Sequence, residues 1–163
     1  MAQDAQLPVV LWRIAKETPD YAAADMTGGG ARLTGGLWNR KGTPAVYAST
    51  SIALAILETL AHLGGNLTIR NAFLVRITVP SAVWAQRVTI DIATLPPTWL
   101  AEPPGAASIA VGDTWLRAQS HAVLLVPSIM VPEEYNVVIN PLHPDAGRVK
   151  AQVVRQHVYD PRL

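Results

Sequence analysis

The sequence predicts an α+β domain built on a mostly antiparallel sheet with one central helix. Three observations predict it. Short β-branched and aromatic runs recur along the chain, bounded by glycine and proline. One uninterrupted Ala/Leu/Ile-rich segment, Ser51 to Leu63, has helical spacing. The strands and the few helices follow no strict β-α alternation, which disfavours a parallel α/β sheet. At 163 residues the whole chain, 1–163, is expected to form one domain with a substantial core.

The elements follow in order. Val9 to Ile14 (VVLWRI) is a first strand with Arg13 among apolar neighbours. Thr18 to Gly42 has no sustained period and reads as a loop with a helical turn near Tyr21 to Ala24; a connection this long in a compact domain is usually functional or disordered. Val46 to Ala48 is a short strand. Ser49, Thr50 and Ser51 offer N-cap oxygens to the helix that follows, and Gly64-Gly65 supplies its stop. Phe73 to Val79 alternates and ends at Pro80, placing Arg76 on one face of a strand. Val83 to Ile92 reads as a further strand. Leu95 to Gly105 holds four prolines and is an irregular connection. Ala107 to Gln119 is helical in spacing but interrupted by Gly112, so a short helix is expected from near Val111. Ala122 to Val126, Tyr135 to Ile139 and Val149 to Val158 complete the strands.

Composition narrows the function. Half the residues are hydrophobic and 15% are charged, against roughly a quarter in typical domains, so some apolar surface is expected to face a partner. A net charge of +1 creates no global field for nucleic acid. The absence of cysteine removes disulfide, thiolate and Cys-type zinc chemistry and agrees with a cytoplasmic location. No basic n-region precedes the short apolar run at the N-terminus, and no apolar stretch approaches the ~20 residues that span a bilayer. The four histidines are widely spaced, without an HExxH pattern, so no metal is expected.

Several side chains carry candidate chemistry. The segment Gly28 to Gly42 is glycine-rich and basic, with Arg32, Arg40 and Lys41. It matches neither standard nucleotide fingerprint, yet exposed N–H groups beside cations can hold phosphate; the plainer reading is a solvated basic loop. Ser51, Ala55, Glu58 and His62 share one helical stripe. Either the stripe faces water, with Glu58 paired to His62, or it faces a pocket where a lone carboxylate opposes developing positive charge. Spacing alone prefers the first. Ser128, after the run LLVP, sits outside any G-x-S-x-G elbow and reads as a turn serine rather than a nucleophile. Trp12, Trp38 and Tyr47 read as core aromatics before ligand-stacking ones.

The order of these residues resembles a known family. LWRI with Arg13, then GG-x-WN-x-x-G-x-x-x-VYAS (Gly35 to Ser49), S-x-A-x-A-x-x-E-x-x-x-H (Ser51 to His62), VPS-x-x-VP-x-E-x-N-x-x-x-NP-x-HPD (Val126 to Asp145) and YDPRL (Tyr159 to Leu163) are similar to the RES-domain toxins of bacterial toxin–antitoxin pairs. That family is named for an arginine, a glutamate and a serine. The resemblance implies a fold similar to the diphtheria-toxin-like ADP-ribosyltransferases and an activity that consumes NAD as substrate by breaking its nicotinamide–ribose bond. It implies catalytic roles for Glu58, Ser128 and Arg13, the last near the phosphates. It places Tyr47 in the nicotinamide pocket and assigns NAD contacts to Arg32, Leu37, Trp38, Asn39 and Ser49. Phosphate is a candidate co-substrate beside water, and transfer of ADP-ribose to a target protein is the alternative reaction. A third reading is a catalytically inactive module that only binds its antitoxin. The implied partner is a cognate antitoxin with a helix-turn-helix DNA-binding part, in a hetero-oligomer that admits a toxin dimer; neither direct nucleic-acid binding nor membrane binding is implied.

One departure stands out. The family pattern GGRWN reads GGLWN here, with Leu37 in place of an arginine that would contact the pyrophosphate. Loss of such a charge-assisted contact weakens binding by about 1.5–3 kcal/mol, and an attenuated activity is expected unless Arg32 or Arg40 compensates.

Overall fold

The computed structural model describes residues 6–63, 70–101 and 106–163. Seven strands form one mixed sheet in the order β4-β5-β6-β2-β1-β3-β7. They are β1 Val9–Lys16, β2 Val46–Ser49, β3 Ala72–Val79, β4 Val88–Thr89, β5 Val123–Pro127, β6 Tyr135–Ile139 and β7 Lys150–His157. Only β4 and β5 pair in parallel; every other neighbouring pair is antiparallel. The α+β class with a mostly antiparallel sheet is therefore what the chain adopts.

Among the described residues four α-helices accompany the sheet: α1 Gly29–Thr34, α2 Ile52–Leu63, α3 Ser81–Ala85 and α4 Ala106–Ala118. The central helix lies where its spacing puts it, capped at its start by the Ser51 hydroxyl, which accepts the Leu54 N–H at 3.1 Å. The stop assigned to Gly64-Gly65 lies outside the described residues.

Alternation along the strands divides the core in two. Leu11, Val46, Ala48, Val75, Ile77, Val137 and Ile139 pack on one face. Leu124, Val126 and Val138 pack on the other against Trp38, Trp99 and Leu116. β5 is buried along its whole length because it contributes to both, which is why its sequence is an unbroken apolar run.

Three expectations are corrected. Val83 to Ile92 is the end of a short helix, a two-residue strand and the start of a 3-10 turn, since α3 drives Val83 into the core and only Val88–Thr89 pairs. Burial overrides the β propensity of the segment. The helix expected near Val111 begins at Ala106 and runs straight through Gly112. A Cβ at Gly112 would sit 2.0 Å from the Trp38 carbonyl oxygen, so this glycine serves a close approach between α4 and the glycine-rich loop. Finally, the helical piece of the long loop is α1, opening after Gly28 with φ 72°, while the Tyr21 to Ala24 region contributes only a turn closed by the Asp25 N–H on the Ala22 carbonyl at 3.0 Å.

Candidate active site

A row of cross-strand partners prepares the site. Trp12 in β1 pairs with Ser49 in β2, and Ser49 with Asn136 in β6, which in turn faces Val126 in β5. Directly paired residues share a face, so Ser49 and Asn136 meet side by side. The Ser49 hydroxyl donates to Asn136 Oδ1 at 2.7 Å. That bond orients the amide, and Asn136 Nδ2 donates to Glu58 Oε1 at 2.8 Å.

Glu58 arrives from above. α2 buries Leu54 and Ala55 in its first turn, and Glu58, three and four residues further on, lies on the same stripe. Its Oε1 also receives the Ser128 hydroxyl in a very short hydrogen bond. Ser128 is fully buried just after β5. Its oxygen accepts the N–H groups of Met130 and Val131 at 3.1 and 3.0 Å. One donor and two acceptor positions are thereby all used. The serine is both the turn residue that its context predicts and an orienter of the carboxylate, with nothing left for a nucleophilic role. Glu58 turns to the sheet instead of to His62, and its Oε2 has no partner among the described residues. The result is an oriented carboxylate with one oxygen tied down and one available.

The second group of site residues surrounds Tyr47. Tyr47 and Ser49 are alternate residues of β2 and share its face, about 6.6 Å apart along the strand. The Tyr47 hydroxyl donates to Asn39 Oδ1 at 2.6 Å and accepts the Trp38 N–H at 3.0 Å. Burial pushes this phenol well above its usual range, although the Trp38 N–H opposes the shift, so the hydroxyl stays protonated. Asn39 is 1% exposed, and its amide donates to the carbonyls of Ala31, Arg40 and Thr43 at 2.9, 3.1 and 2.9 Å. It staples α1 to both arms of the loop. A Cβ on Gly36 would lie 2.7 Å from both Asn39 Oδ1 and the Tyr47 hydroxyl, so only glycine fits there. The Trp38 ring is core, packed 6.3 Å from Trp99. Leu37 is half-buried against the same cluster, which explains how an apolar side chain is accommodated in a polar loop.

Among the cations, Arg32 on α1 and Lys41 are exposed. Arg40 is engaged by Asp113 of α4, whose carboxylate accepts the Arg40 N–H at 3.0 Å and pairs with Arg117 at 2.8 Å. Burial alone would raise the Asp113 pKa; the Arg40 N–H, the Thr43 hydroxyl and the two guanidiniums together hold it below its usual range. The loop is thus clamped to α4 through a buried charge. Arg13 lies elsewhere. It shares a face of β1 with Leu11 and Ala15 of the first core, opposite the face that carries Ser49. Its guanidinium donates to the carbonyls of Ala23 and Asp25 at 2.8 and 2.7 Å. The structure therefore brings Glu58, Ser128 and Ser49 together through Asn136, groups Trp38, Asn39 and Tyr47 along the same face of β2 with Leu37 next to them, leaves Arg32 exposed on α1, and places Arg13 on the opposite face of the sheet.

Asn136 and Asp113 are the functional positions that residue-by-residue reading of the sequence misses. Asn136 did leave a signal, a lone amide inside the apolar run YNVVI. A cleft of about 400 Å³ between Lys41, Arg117, Gln119 and Asn140 opens at the other end of β6 from Asn136, outside the carboxylate site. Among the described residues no three His, Asp or Glu side chains gather as a metal site, and no helix is long and apolar enough to cross a membrane.

Comparison with known proteins then decides the family. Residues 10–161 match the RES domain. The chain belongs to the RES-domain family. A relative from Sphingobium sp. named Prs ADP-ribosylating toxin is 49% identical over 152 residues, covering 93% of this chain and 94% of that one. Proteins named Toxin Res from Photorhabdus laumondii and Yersinia enterocolitica are 36% and 34% identical, over 84% and 95% of this chain and 85% and 99% of theirs. All the residues of both groups above fall within the RES match, and these relatives are named as toxins, the Sphingobium one as an ADP-ribosylating toxin.

Proposed function

We propose that this RES domain breaks the bond between nicotinamide and ribose in NAD, with Glu58 as the catalytic carboxylate. The observation that carries the reading is the geometry of Glu58. Ser128 and Asn136 both hold Oε1, which fixes the carboxylate and leaves its other oxygen without a hydrogen-bond partner among the described residues. As the C1′–N bond breaks, its electron pair leaves with the neutral nicotinamide, and positive charge develops on the ribose, much as in glycoside cleavage. A preoriented carboxylate opposes that charge and accepts a ribose hydroxyl. No general acid is needed for this leaving group. Tyr47, neutral and anchored by Asn39, packs the nicotinamide; Arg32, Arg40 and Lys41, all exposed, are the cations available to the pyrophosphate. Arg13 acts through the 23–25 segment that it holds.

Water and phosphate are open as acceptors of C1′, but the Sphingobium relative's name favours transfer of ADP-ribose to a protein. The incoming nucleophile bonds to C1′; water or a protein hydroxyl or amine gives up a proton as it does so, which the second Glu58 oxygen can take, while an ionised phosphate oxygen attacks with no proton to lose. An antitoxin partner follows from the toxin reading.

The test follows NAD carrying a labelled adenosine half, in the purified chain, Glu58→Gln and Leu37→Arg, with and without phosphate and candidate target protein. Glu58→Gln is expected to lower the rate by about 100-fold or more, and Leu37→Arg to raise NAD affinity by roughly ten- to a hundredfold. Label on protein, on free ADP-ribose or on its phosphate ester identifies the acceptor. Unimpaired NAD loss in Glu58→Gln would overturn the assignment.

A further inference from the structure

Ser49 reaches Glu58 only through another side chain. The family resemblance implies an NAD contact for this serine, yet its surroundings tie it to the protein. It closes β2 and is 4% exposed. Two neighbouring strands fix its place: β1 and β2 share the register pair Trp12 with Ser49, and on the other side Ser49 pairs with Asn136 of β6. The next residue fastens the same junction, where the Thr50 hydroxyl donates to the Tyr135 carbonyl at 3.2 Å. Adjacent strands lie about 4.8 Å apart, so a side chain as short as serine's spans the gap to its partner's amide and goes no further.

The direction of the hydrogen bonds follows from what Glu58 can accept. Oε1 receives the Ser128 hydroxyl and presents an acceptor to β6, so Asn136 turns its Nδ2 there at 2.8 Å. A primary amide has its donors on one arm and its acceptor on the other. Oδ1 is thereby aimed back at β2, where the Ser49 hydroxyl donates to it at 2.7 Å. The reverse orientation of the amide would set Oδ1 against Oε1, oxygen against oxygen. Ser49→Ala would leave Oδ1 with no side-chain donor from β2, and turning the amide away from Glu58 would no longer break a hydrogen bond on that side.

We propose that Ser49 is a positioning residue for Glu58. Its proton locks the Asn136 amide with Nδ2 toward the carboxylate, and the hydroxyl acts on the reaction through that amide, not by touching NAD. The proposal rests on the reading of Glu58 as the catalytic carboxylate.

Two measurements on the full chain test it. In steady-state NAD cleavage, Ser49→Ala is expected to lower kcat about three- to thirtyfold with KM little changed. In the Asn136→Ala background the same change is expected to move kcat by less than about twofold, since the hydroxyl has no amide left to hold. In hydrogen exchange followed by NMR, the Asn136 side-chain amide of Ser49→Ala is expected to exchange at least about fivefold faster, while the Met130 and Val131 N–H groups held by Ser128 stay unaffected. Ser49→Cys, close in size with a weak S–H donor, serves if Ser49→Ala does not fold, with the same outcomes expected. A loss of kcat or a rise in KM as large in the Asn136→Ala background as in the wild type would assign the hydroxyl to NAD and overturn the proposal, as would unchanged exchange of the amide. If Glu58→Gln still cleaves NAD, it is the functional reading that fails, and the exchange result still decides whether Ser49 holds Asn136.

Discussion

Ser128 illustrates how one atom can serve two structures. Its oxygen accepts two backbone N–H groups of the following turn while its proton goes to Glu58. Asn136 makes a comparable bond to the same carboxylate oxygen but caps no turn. Ser128→Ala and Asn136→Ala should therefore both lower kcat, by about tenfold or more if Glu58 loses its orientation, and differ in stability. Only Ser128→Ala removes the acceptor of the Met130 and Val131 N–H groups, at a cost of about 0.5–1.5 kcal/mol, so chemical denaturation should separate the pair. Equal stability losses would show that the turn does not depend on the hydroxyl.

At the scale of elements, α4 and the glycine-rich loop form one unit. Gly112 lets the helix touch the Trp38 carbonyl, and one residue later Asp113 binds the Arg40 N–H and two guanidiniums. A side chain at position 112 would push the helix off the loop and loosen that carboxylate's contacts together. Gly112→Ala is expected to cost about 1–3 kcal/mol, read by denaturant midpoint, and to weaken NAD binding because the loop carrying Tyr47's partners moves with it. Wild-type stability in this variant would mean that the loop yields freely, contrary to the stapling by Asn39.

Over the whole molecule, the pH response isolates the buried C-terminal histidine. Burial first, and Arg155 second, lower the His157 pKa in the folded chain. The folded state thus binds fewer protons than the unfolded state near and below the usual value of about 6.5. Stability should be flat above that pH and fall as pH drops below it. Asp113 and Asp160, whose pKa values are also lowered, add their losses only further into the acid range. Melting curves between pH 7.5 and 5.5, a window set around that about 6.5 reference, should show the decline, and His157→Phe should flatten it; an unchanged slope would assign the titration elsewhere.

The same scale shows what the sequence could and could not disclose. The sheet class, α2 and six of the strand runs were legible because alternation and helical spacing are local signals. α3 and the full length of α4 were not, because a core contact at Val83 and a close approach at Gly112 decide them, and neither partner is near in the chain. The order of motifs singled out Glu58, Ser128 and Tyr47, and the structure sets Glu58 against Ser128. The spacing argument alone preferred a water-facing Glu58, since the amide that turns it inward comes from residue 136, on another element. Arg13 was legible as unusual, but the face it occupies depends on register, which places it across the sheet from Ser49.

Both groups that hold Glu58 belong to the hairpin of β5 and β6, whose turn Ser128 itself closes with the Glu134 carbonyl. The proposed catalytic geometry is accordingly a contact between two bodies, a helix and a hairpin, meeting at a single carboxylate oxygen. Such a joint has few independent ways to fail. Substitutions that shift the helix and substitutions that shift the hairpin should not add, because once the contact has parted a second displacement removes nothing more. Suppressors of a damaged site are then to be sought on the opposite body, not beside the original change.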